Sequence, residues 1–128
     1  PIPRDQVPHL ERSAHFLFSA DINGSCPNTG VESLACGLAV VGFATGAIPE
    51  MLSEWSGRCA PYGSNHWKLE PPVFDQIIDD AIIVIEHQDT FRKGARKRAE
   101  DVFDIELMMS QYLAILFSGQ ESTAKITQ

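Results

Sequence analysis

Between His15 and Phe43 the chain passes through apolar strand, glycine-bearing loop, helix, glycine and apolar strand, an order that few folds accommodate. His15-Phe-Leu-Phe-Ser19 is a compact apolar run of strand length. After the loop Ala20 to Pro27, Asn28 or Thr29 stands where a side-chain oxygen can cap a helix that continues through Ala35. Gly37 supplies the left-handed residue that closes such a helix. Leu38-Ala-Val-Val-Gly-Phe43 is apolar without interruption, as strands of a parallel sheet covered on both faces are. This is the pattern of a βαβ unit, whose crossover should be right-handed.

The flanking segments extend that unit. Residues 8 to 14 suit a short helix. A loop, Ala44 to Ala47, leads to a short helix opening at Pro49, and Gly57 to Ala60 reads as a third strand. All eight prolines and seven of the nine glycines lie at or before Pro72, so the remainder is predicted to be mostly helix. Phe74, Ile77, Ile78, Ala81, Ile82 and Ile85 follow the helical repeat and predict one apolar stripe, with Asp75, Asp79 and Glu86 elsewhere. Phe91, Ala95, Ala99 and Val102 mark a second helix. Asp104 is placed to cap a third, through Leu107, Met108, Tyr112, Ile115 and Leu116. The expected class is α/β, with a Rossmann-like parallel sheet, flanking helices and a helical C-terminus. Residues 1–118 form the domain and 119–128 a polar tail. Three strands are fewer than the five or six of an ordinary sheet. Either neighbouring strands are missing from this chain or something else supplies them.

Charge and cysteine content exclude several function classes. Ten Lys and Arg against 17 Asp and Glu leave a net charge of -7, which speaks against nucleic acid as the main partner. No apolar run approaches the roughly 18–20 residues of a membrane-spanning helix, and the first residues lack the pattern of a signal peptide. Three cysteines without a C-x-x-C pair argue against a disulfide framework and a zinc site. His9, His15, His66 and His87 have no ligand spacing, so no metal is expected. A cytoplasmic location follows as the expectation. Arg92, Lys93, Arg96, Lys97 and Arg98 hold half of the basic residues. A membrane-surface or nucleic-acid patch is conceivable there, but Glu100 and Asp101 follow at once and no large apolar face opposes them. They read as a solvated helix face.

In open α/β sheets, ligands bind beyond the carboxyl ends of the strands. Two loops meet that description: Ser19 to Glu32 after the first strand and Ala44 to Glu50 after the second. Each ends at a helix start, where free amides and the helix dipole favour an anion.

The stretch from Cys26 to Leu52 resembles the donor-binding segment of family 4 glycosyltransferases, retaining enzymes of the GT-B fold. Glu32, the run Leu34-Ala-Cys-Gly-Leu-Ala-Val-Val41, Thr45-Gly46 and Glu50 fall on the family pattern without a gap. The order of neighbouring elements matches over residues 7 to 117. The resemblance implies a nucleotide-sugar as donor substrate, and no cofactor is expected beside it. It implies that Glu32 binds the ribose hydroxyls, that the amides of Asn28 and Thr29 hold the diphosphate, and that Thr45 and Gly46 face phosphate and sugar. A carboxylate suits a vicinal diol because it accepts two hydrogen bonds. Thr29-x-x-Glu32 is also a capping box, which gives Glu32 a structural alternative. For Asn28 and Thr29 the alternative is plain helix capping, and for Thr45-Gly46 a simple turn.

Three departures stand out. The family places a second Glu eight residues before the position of Glu32, to touch donor-sugar hydroxyls; this chain has Gly24 there, with Asn23 and Asp21 as nearby polar residues. Where the family has Gly-Gly, this chain has Gly46-Ala47. The Arg and Lys that neutralise the leaving diphosphate, and the N-terminal acceptor domain, would precede Pro1. The implied function is donor binding in a retaining transferase that passes a sugar to a glycan, lipid or small acceptor, the fragment alone being inactive. No side-chain nucleophile is needed, and no catalytic residue is assigned. The alternatives are a non-catalytic nucleotide-binding or interaction module of the same fold, favoured by Gly24, and a nucleotide-sugar epimerase.

Overall fold

The computed structural model describes residues 2–118. The expected polar tail, 119–128, lies outside the described residues. Three parallel strands, β1 (Phe16–Ser19), β2 (Ala39–Phe43) and β3 (Gly57–Ala60), form one sheet in the order β1-β2-β3. The register pairs Phe16 with Ala39 and Val40 with Gly57. Helix α1 (Val7–Ser13) precedes β1, α2 (Asn28–Ala35) joins β1 to β2, and α3 (Ile48–Met51) joins β2 to β3. Helices α4 (Asp75–Glu86), α5 (Gln88–Val102) and α6 (Ile105–Ser118) follow. The α/β class, the order of elements and the helical finish agree with the sequence reading.

All five residues of β2 are buried because both faces of the central strand are covered. On one face Val41 and Phe43 pack with Ile77 and Val84 of α4 and with Phe91. On the other, Val40 packs with Leu34 of α2, Ile48 and Met51 of α3, and Ala95 and Ala99 of α5. Each fully buried Val, Leu or Ile contributes about 1.5–3 kcal/mol, so this two-sided burial anchors the sheet. Phe43 ends β2 within a ring cluster, its centroid 5.1 Å from Tyr62, 5.8 Å from Phe74 and 6.3 Å from Phe18. The loop after β2 therefore starts from an immobilised residue.

Helix boundaries follow local chemistry. Gly37 takes φ +73° and Leu38 donates its amide to the Ser33 carbonyl at 2.8 Å, closing α2 as expected. Asp104 caps α6 through Oδ1, accepting from the amides of Glu106 and Leu107 at 2.9 and 3.1 Å.

Three expectations are corrected. Neither Asn28 nor Thr29 caps α2: the N-cap is Pro27, and no side chain bonds to the helix start. Pro27 begins the helix one residue early, which puts Asn28 and Thr29 inside the first turn. The predicted α4 stripe is also split. Ile77 and Val84 are buried and Ala81 packs against the core, but Phe74, Ile78, Ile82 and Ile85 are exposed. The buried face instead includes Asp80.

The third correction concerns the basic run. Its arginines are docked on helix ends rather than simply solvated. Arg92 donates to the carbonyls of Arg12 and Ala14 at the end of α1, and Arg96 to Ala35 at the end of α2. Arg98 donates to Glu50 and Met51 at the end of α3. The last carbonyls of a helix lack intrahelical donors and carry the negative end of its dipole, so a guanidinium there satisfies both. Only Lys93 and Lys97 behave as a solvated face, Lys97 pairing with Asp101.

Candidate functional site

The two loops singled out in the sequence meet at the carboxyl ends of β1 and β2. Ala47 donates its amide to the Gly24 carbonyl at 2.8 Å. Gly46, at φ +54°, lies so close to Asn23 and Gly24 that a Cβ would collide with the Gly24 carbonyl oxygen and the Asn23 backbone. Asn23 itself takes a left-handed φ of 63°, which Asn tolerates better than most residues. The packing of one loop on the other is thus why position 46 requires glycine. Gly24, Thr45 and Gly46 are brought together.

Thr45 is 4% exposed, and its Oγ1 is buried with no hydrogen-bond partner among the described residues. Most buried hydroxyls are satisfied, so this one stands out. It belongs to a residue already selected by its position in the loop.

Next to this junction α2 begins. Its first helical bonds run from the amides of Gly30 and Val31 to the Pro27 carbonyl, leaving the amides of Asn28 and Thr29 without an intrahelical acceptor. Both side chains are exposed. The capping box is not formed, since no side chain bonds to the α2 start, so Glu32 is not tied to Thr29.

Glu32 sits one turn further along α2, exposed, and lines a cleft of about 190 Å³ with Arg4, Val7, Pro8 and Glu11. It is therefore on the α1 side of α2 and not in the loop junction itself. Glu11 went unnoticed in the sequence because nothing links position 11 to position 32 until α1 packs on α2. Its Oε1 accepts from the fully buried Ser33 Oγ at 3.1 Å, and its Oε2 is buried without a partner. Burial first, and then a hydrogen bond to Glu11 and its charge, push the Cys36 thiol above its ordinary range. Arg4 is the basic residue of this cleft.

Glu50 lies in the first turn of α3, where its carboxylate complements the dipole, and its carbonyl is held by Arg98. Cys26 is exposed and free. Among the described residues no three His, Cys, Asp or Glu side chains gather into a metal-binding group, and no helix is long and apolar enough to cross a membrane. No protein-family model, curated protein or solved structure gives a significant match to this chain.

Proposed function

We propose that this chain is the donor-binding portion of a retaining GT-B glycosyltransferase, holding a nucleotide-sugar along the first two turns of α2. The observation that carries the reading is the unpartnered Thr45 hydroxyl, buried where two glycine loops join beside a helix start. A diphosphate oxygen there would accept from Thr45 and from the amides of Asn28 and Thr29, the donors that the helix itself leaves over. Glu32, released from any cap, would take the ribose hydroxyls in the cleft it shares with Arg4. Gly46 lets the loop approach the sugar without a side chain between them. Catalysis would rest on stabilising the leaving diphosphate and positioning the acceptor, with neither a protein nucleophile nor a metal. The acceptor domain and the Arg and Lys pair expected of such enzymes are not among residues 1–128.

A non-catalytic nucleotide-binding module is the second reading. It is favoured by position 24, where a glycine carbonyl already engaged by Ala47 replaces the carboxylate that would touch the sugar. Titration calorimetry of the protein with UDP-, GDP- and ADP-sugars, beside the free nucleotides, tests both. One nucleotide-sugar should bind saturably, and Glu32→Gln should weaken it by about 1–3 kcal/mol, or roughly 5–150-fold, without loss of fold. Equal affinity for a nucleotide-sugar and its free nucleotide would favour the module. No binding by any of them, or no effect of Glu32→Gln, would sink the donor assignment.

A further inference from the structure

We propose that a cleft along the open edge of β3 binds a small zwitterion, a molecule carrying both an ammonium and a carboxylate group. Among the described residues β3 pairs only with β2. Beside its other edge lies a cleft of about 290 Å³, lined by Gly57, Arg58 and Cys59 of β3, by Gln76 and Asp80 of α4, and by Glu54.

Two groups of opposite charge in this cleft have no ion-pair or side-chain hydrogen-bond partner among the described residues. Asp80 is 8% exposed, yet the ion pairs among the described residues are Arg96–Glu100 and Lys97–Asp101, and Asp80 enters neither. No described side chain donates a hydrogen bond to it. Arg58 holds its guanidinium 5.8 Å from the Phe91 ring centroid, and its Nε is buried with no acceptor. A carboxylate on a residue as buried as Asp80 gains from a cationic counterpart, as the buried Nε of half-buried Arg58 gains from an acceptor, and the two side chains form no ion pair with each other.

The strand edge supplies the remaining complement. Val40 donates to the Ser56 carbonyl and Ala44 to the Ala60 carbonyl, so residues 56, 58 and 60 turn their backbone polar groups toward β2. In a parallel ladder the alternate residues, Gly57 and Cys59, turn theirs away from it, toward the cleft side. One ammonium can meet Asp80, Glu54 and an outward carbonyl, while one carboxylate meets Arg58 and an outward amide. An inorganic anion would serve Arg58 but stand against Asp80 and Glu54. A simple cation would leave Arg58 unserved. A metal ion lacks a ligand set, since no three suitable side chains gather among the described residues. A free α-amino acid carries both groups within the span of a cleft this size.

Calorimetric titration of the protein with L-lysine, L-arginine and glycine is the direct test, with agmatine, which lacks a carboxylate, and acetate, which lacks an ammonium, as controls of one charge sign only. At least one amino acid should bind saturably, with agmatine and acetate roughly tenfold or more weaker. Asp80→Asn and Arg58→Gln should each cut that affinity at least about tenfold. Should either variant unfold, amide NMR of the unaltered protein replaces it: shifts on titration should centre on Gly57, Arg58 and Cys59. No saturable binding, equal binding of agmatine, or shifts centred elsewhere would overturn the proposal and leave water as the partner of both charges. Nucleotide-sugar binding uses none of these residues, so either site can fail without the other.

Discussion

Arg96 Nη1 lies 2.6 Å from the Ala35 carbonyl oxygen, joining the middle of α5 to the last residue of α2 across 61 positions of sequence. Arg92 and Arg98 do the same for α1 and α3, so one helix closes three others. Arg98→Ala removes two donors from the end of α3 and should destabilise the fold by about 1–3 kcal/mol in urea titration. Lys97→Ala breaks only an exposed pair with Asp101 and should cost about 0.5 kcal/mol or less. Equal losses would mean that the helix-end contacts contribute nothing.

Thr45→Val separates folding from binding. The isosteric change removes a buried hydroxyl that has no partner. Stability should therefore stay level or rise by about 1 kcal/mol, while nucleotide-sugar affinity falls. A clear loss of stability would show that the hydroxyl is already satisfied in solution and would exclude it from a ligand role.

Gly46→Ala adds a Cβ at a positive φ and against the Gly24 carbonyl. The left-handed conformation alone costs about 1–2 kcal/mol for an L-residue, and the collision adds to it. Thermal unfolding should show a lower Tm, with the two loops drawn apart and donor affinity reduced.

Burial, and then Asp80, raise the Cys59 thiol, as burial and then Glu11 raise Cys36. A raised thiol pKa means that the folded state holds its proton more tightly than the unfolded chain. The associated stability is fully present below the unfolded value of 9.0 and is lost as pH rises through the higher folded value. Denaturation midpoints should accordingly fall on the alkaline side of pH 9, and Cys59→Ser should flatten that fall. At neutral pH a thiol-specific reagent should label exposed Cys26 well before the other two.

The α4 substitutions test the corrected helix face. Val84→Ala should cost about 1–3 kcal/mol, because Val84 is fully buried against the sheet. Ile82→Lys, on the exposed side, should stay within about 0.5 kcal/mol. The reverse order would restore the stripe expected from periodicity.

That stripe explains what could be read from residues alone. The βαβ order, the closure at Gly37 and the cap at Asp104 were legible because each depends on neighbours within a few positions. Helix α4 was legible as a helix, but its isoleucines occupy two faces, so spacing could not select the buried one or foresee that Asp80 shares it. The arginines of α5 looked solvated because their acceptors are main-chain carbonyls, which every residue has and no sequence marks. Of the candidate site, Gly24, Thr45 and Gly46 were legible from their place after strands. Glu11 was not, because only the packing of α1 on α2 puts it beside Glu32.

Helix α6 carries a different consequence. None of its residues is buried, although Ile105, Met109, Tyr112, Ile115, Leu116 and Phe117 are among them. Isolated helices of about 12–15 residues are marginal in water, and this one has 14, none of them buried among the described residues. Its amides should exchange with solvent far faster than those of β2, and its melting should precede that of the sheet. Heating should thus give two thermal histories: a sheet that unfolds as a unit, and a helix, α6, whose persistence reports on whatever surface it is given to lie against.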